Sequence, residues 1–81
     1  MSSLESKIRR LSLVERKKLA EKGIYISDIT NQNEQQAIIE ILSIVYTDKE
    51  LAGISTFDEE SSLTTKIIEK TYGLTEQEGK N

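Results

Sequence analysis

The chain has no cysteine, no histidine, no tryptophan and no proline among its 81 residues. Without cysteine there is no disulfide, no thiolate nucleophile and no cysteine-based structural zinc site. Without histidine the commonest general base and the commonest transition-metal ligand are both missing. Carboxylates alone suit hard ions such as Ca²⁺ or Mg²⁺, and no loop of the EF-hand kind is present, so neither a metal nor an organic cofactor is expected. The lack of proline leaves helix permitted at every position. Four aromatics, Tyr25, Tyr46, Phe57 and Tyr72, are too scattered to form the stacking sheet of an RNA-binding module. Residues 1–10 hold no apolar run resembling a secretory signal, and no segment approaches the roughly 20 apolar residues of a membrane span. A cytoplasmic protein is therefore expected.

What the sequence does hold is a lopsided charge. Lys7, Arg9, Arg10, Arg16, Lys17, Lys18 and Lys22 face only Glu5, Glu15 and Glu21 in the first 22 residues, a net +4. The rest carries four cations against eleven acids, a net −7, so the overall −3 conceals two segments of opposite sign. Such asymmetry points to a charged partner, or to one half of the molecule docking on the other.

Helix boundaries are marked from both sides. Gly23, Gly53 and Gly73 each follow a segment that can be helical and precede a large aliphatic residue, Ile24, Ile54 or Leu74. A left-handed glycine followed by an apolar residue that packs back on the last turn is a common helix stop. Capping boxes are expected to begin at Ser12, Asn31, Thr47 and Thr56, each with Glu three residues on. These signals predict helix over residues 3–22, with a break considered at Ser12, then over 33–46, briefly over 48–52, and over 57–72. Residues 24–29 read as a connector packed on the core. The expected fold is all-α, a small bundle of three main helices plus one short helix, in a single domain over residues 1–74. The polar tail 75–81 is expected to fray. A domain of this size buries only about 60% of the surface its unfolded chain exposes, and its stability is expected to be about 4–12 kcal/mol.

The segment 33–46 carries the clearest pattern. At about 100° per residue, Gln36, Glu40 and Ser43 share one narrow stripe, while Ala37, Ile38, Ile39, Ile41, Leu42, Ile44, Val45 and Tyr46 take the remaining circumference. A surface helix needs only one apolar face. This one is expected to be the central helix of the domain or the seam of an oligomer.

The first helix reads differently. If continuous, it sets Leu4, Ile8, Leu11 and Leu19 on one stripe, with Arg9, Arg10, Arg16 and Lys17 around the opposite side and Leu13 between them. The plainest interpretation is a solvated face, or pairing with Asp58, Glu59 and Glu60 inside the molecule. Among functional interpretations, contact with an acidic protein surface ranks ahead of phosphate contact with a nucleic acid. A membrane surface ranks last, because this helix offers no Trp or Phe.

Catalysis finds little support. The glycines are isolated and form no phosphate-cradling loop, and Ser61 and Ser62 have no imidazole to activate them. Asp58, Glu59 and Glu60 are the densest carboxylate group, but consecutive residues fan around a helix, and acids in a first turn favour the helix dipole. The expectation is a non-catalytic protein-binding module, a regulator, adaptor or inhibitor. Its partner-binding residues would be Arg9, Arg10, Leu13, Arg16 and Lys17, and it would act without a cofactor, alone or as a homodimer. A nucleic-acid-associated regulator using the same residues, and a structural subunit of a larger assembly, are the alternatives.

Overall fold

Short side chains that satisfy the first free amides set most of the helix starts. In the computed structural model, which describes residues 4–73, a single 3-10 turn at Glu5–Lys7 is followed by α1 (Leu13–Glu21), α2 (Glu34–Val45), α3 (Asp48–Leu51) and α4 (Phe57–Thr71). The described residues are all-helical, with no strand. Leu74 and the tail 75–81 lie outside the described residues, as do residues 1–3.

Ser12 and Glu15 form a reciprocal cap at α1: the Ser12 hydroxyl accepts the Glu15 amide at 3.1 Å, and the Glu15 carboxylate accepts the Ser12 amide at 2.9 Å. Thr47 and Glu50 repeat this at α3, with distances of 3.2 and 2.9 Å. At α4 the Thr56 hydroxyl accepts the Glu59 amide at 3.1 Å, while Glu59 reaches one residue further back, to the Ser55 amide at 3.3 Å. The fourth expected box is absent. Asn33 occupies the cap of α2 without bonding into the helix, and its side-chain oxygen instead accepts the Thr30 amide at 2.8 Å, closing the preceding turn.

Gly23 acts as the expected stop, and Gly73 takes the expected left-handed backbone, the Leu74 that follows it lying outside the described residues. Gly23 has a φ of 80°, its amide bonds to the Ala20 carbonyl at 2.9 Å, and the Ile24 amide bonds to the Leu19 carbonyl at 2.9 Å. Ile24 is thereby turned under α1 and buried. Gly73 has a φ of 82° and bonds to Lys70. Gly53 does not take a positive φ: α3 is only four residues long, and successive tight turns carry the chain out of it.

The first helix departs most from expectation. Only Leu13–Glu21 is α-helical, and the chain is extended at Ile8 and Ser12. The reciprocal cap starts a new helix at Ser12, and burial favours an extended approach before it. That path brings Leu4 and Leu11 into the core beside Leu19, with Ile8 packed against it, although one helical stripe does not connect them.

α2 lies at the centre and contacts α1, α3 and α4. Its Ala37, Ile38, Ile41 and Leu42 are buried together with Leu63 and Ile67 of α4. Gln36 and Ser43 are exposed, and Glu40 pairs with Lys22 at 2.7 Å, so the polar stripe faces outward as the angular pattern requires. Ile39 is the exception, left 53% exposed. Buried Tyr46 donates its hydroxyl to the Leu4 carbonyl at 2.6 Å, fastening the N-terminal segment to the end of α2. The 24–29 connector turns through a Tyr25 carbonyl to Asp28 amide bond of 2.9 Å, and Ile26 and Ile29 pack on the core. Among the described residues, no helix is long and apolar enough to cross a membrane.

Candidate functional site

The cap that starts α1 also sorts the cations around it. Glu15 accepts from both terminal nitrogens of the Arg9 guanidinium, at 2.9 and 2.8 Å, in a fork that matches guanidinium to carboxylate. The hydrogen bond from Arg9 is the main reason the Glu15 carboxyl titrates at about 2, well below its usual value; partial burial opposes this, and the Ser12 amide adds to it. The same bond raises Arg9. Arg9 also donates to the Arg10 carbonyl at 3.0 Å. It is therefore committed within the molecule.

Other basic residues are less committed. Lys7 pairs with Glu50, whose carboxyl is lowered chiefly by that lysine and then by the Thr47 amide, and Lys22 pairs with Glu40. Arg10, Arg16, Lys17 and Lys18 make no salt bridge among the described residues. Asp58, Glu59 and Glu60 pair with none of the N-terminal cations, so the expected internal neutralisation by that cluster does not occur. The Leu11 amide donates to the Thr71 hydroxyl at 2.9 Å, holding the extended segment against the C-terminal end of α4. An open, shallow concavity results, bordered by Arg9, Arg10, Leu13, Arg16 and Thr71. Lys17 lies outside that border, one helical turn beyond Leu13.

Leu13 is 72% exposed and Val14 is 62% exposed. Val14 was not among the residues singled out by the sequence pattern. Its signal is the phase of α1: once the helix starts after Ser12 and Leu19 points inward, Leu13, Val14, Lys17 and Lys18 take the outer side. The assembled surface is a pair of uncovered aliphatic side chains rimmed by cations. It offers apolar contact and charge, and among the described residues no three metal-ligating side chains converge. Comparison with family models, curated proteins and solved structures finds no match to this chain.

Proposed function

We propose that the chain is a cytoplasmic, non-catalytic protein-binding module that engages an acidic partner through the face of Arg10, Leu13, Arg16 and Lys17, with Arg9 holding that face in shape. The observation that supports this reading is the exposure of Leu13 and Val14 beside Arg10, Arg16 and Lys17, which form no salt bridge among the described residues. Interfaces combine an apolar centre, which gains from leaving water, with a polar rim that selects the partner. Phosphate contact would use the cations but would leave both aliphatic side chains wet.

The test uses the purified, tagged chain as bait beside an Arg10→Ser, Arg16→Ser, Lys17→Ser variant. Arg9 is kept, because removing it would also unfasten Glu15. Proteins retained by the wild type should be lost from the variant while its helical circular dichroism is unchanged. Retention of the same proteins by both would rule this face out. Fluorescence anisotropy with duplex DNA and single-stranded RNA should show no binding at low salt; binding with a steep salt slope would replace the protein partner with phosphate.

A further inference from the structure

A second uncovered apolar surface lies between α2, α3 and the start of α4. Ile38, Ile39, Leu42, Leu51, Ile54 and Glu60 line a groove there. Ile39 is 53% exposed, and Phe57, one turn before Glu60 on α4, is 48% exposed. Residues 48–60 carry five acids, one of which, Glu50, is held by Lys7, against the single cation Lys49. Asp58, Glu59 and Glu60 form no salt bridge among the described residues. Their place in the first turn favours the α4 dipole, and Glu60 of the three lines the groove itself.

The face around α1 is the complement of this one. Residues 9–18 carry five cations and one acid, Glu15, which Arg9 holds. Both faces set exposed aliphatic side chains beside charges that form no salt bridge among the described residues, Glu60 at the groove and Arg10 and Arg16 at the basic concavity, and those charges are opposite in sign. They also lie at opposite ends of α4: the groove is bordered by Glu60 and the basic concavity by Thr71, separated by about 16 Å along the helix axis. One molecule can therefore use both faces at once.

We infer that the basic face of one copy docks in the acid-rimmed groove of a second copy, a head-to-tail contact that leaves a free face at each end. This inference rests on the proposed role of the basic face and names its partner. A contact between two different patches repeats, closing into a ring or extending as a chain, unlike a symmetric dimer contact. Apolar burial supplies the attraction, and the opposed rims set the orientation and make association weaken with salt.

Sedimentation velocity on the purified chain tests this. The wild type should associate as concentration rises from the micromolar to the millimolar range, and less so at high salt. Arg16→Glu with Lys17→Glu removes one face, and Ile39→Asn with Phe57→Ser removes the other; each should sediment as a monomer with an intact helical spectrum. Should the second variant unfold, Ile39→Asn alone serves. Each variant keeps one working face, so mixing them should give a one-to-one dimer and nothing larger. A wild-type chain that stays monomeric throughout, association that survives in either variant, or two folded variants that ignore each other when mixed would each overturn the inference. None of these results would touch the proposed function, which stands or falls on the bait experiment.

Discussion

The Leu11 amide donates to the Thr71 hydroxyl at 2.9 Å across 60 residues of sequence, and that hydroxyl donates in turn to the Ile67 carbonyl at 2.8 Å. One threonine thus joins the extended segment ahead of α1 to the last turn of α4. Without it the Leu11 amide would be left partly buried and unpaired, which costs about 1–3 kcal/mol. Thr71→Val should therefore lower the melting temperature, by about 4–8 °C for each kcal/mol in a domain of this size. Amide exchange at Leu11 should accelerate, while Thr71→Ser should restore protection. Unchanged exchange in the valine variant would show that packing alone holds this segment.

Gly23 and Gly53 separate on substitution. Gly23 has open space where a Cβ would sit, so its φ of 80° is the only obstacle to alanine. Left-handed backbone costs an L-residue about 1–2 kcal/mol, and Gly23→Ala should destabilise by that amount. At Gly53 the φ is not positive and a Cβ would rest 3.4 Å from the Glu50 carbonyl oxygen, so Gly53→Ala should be nearly neutral. Thermal melts of both variants check this. Equal losses at the two positions would contradict the backbone assignment.

Acid should weaken the fold through Glu15 and Glu50. Both carboxyls are lowered in the folded chain, Glu15 from 4.5 to about 2. A lowered folded value means that the unfolded chain binds the proton more tightly, so the stabilisation is complete above the ordinary carboxylate range and is lost as pH falls towards the folded value. Urea midpoints should therefore decline between pH 5 and about pH 2. Glu15→Gln, which keeps an oxygen for the Ser12 amide, should flatten that decline. A variant with the same acid slope as the wild type would remove Glu15 from this role.

Two isoleucines two residues apart on α2 should behave oppositely. Ile41 has no exposed surface, whereas Ile39 is more than half exposed. Ile41→Ala should cost about 2–5 kcal/mol, a large share of the total of about 4–12 kcal/mol expected for a chain of this length. Ile39→Ala in dilute solution should change stability by no more than about 0.5 kcal/mol. Urea denaturation of each distinguishes them, and a large loss at Ile39 would mean that its exposed side chain supports the monomer.

The all-helical class, the capped starts of α1, α3 and α4, the stop at Gly23 and the outward polar stripe of α2 were all legible in the sequence. They depend on neighbours within one or two turns, where spacing determines which groups meet. The extended run before Ser12, the sorting of Arg9 from Arg10 and Arg16, the uncovered Ile39 and the groove above it were decided only by the tertiary structure. The Arg9–Glu15 pair spans only six residues but needs that extended run to bring its partners together, and the run is held by contacts between residues far apart in the chain, Leu11 with Thr71 and Leu4 with Tyr46. Local spacing carries no information about which distant group will arrive to pair a charge, cover a side chain or hold a strand-like segment open; only packing of the whole core supplies it.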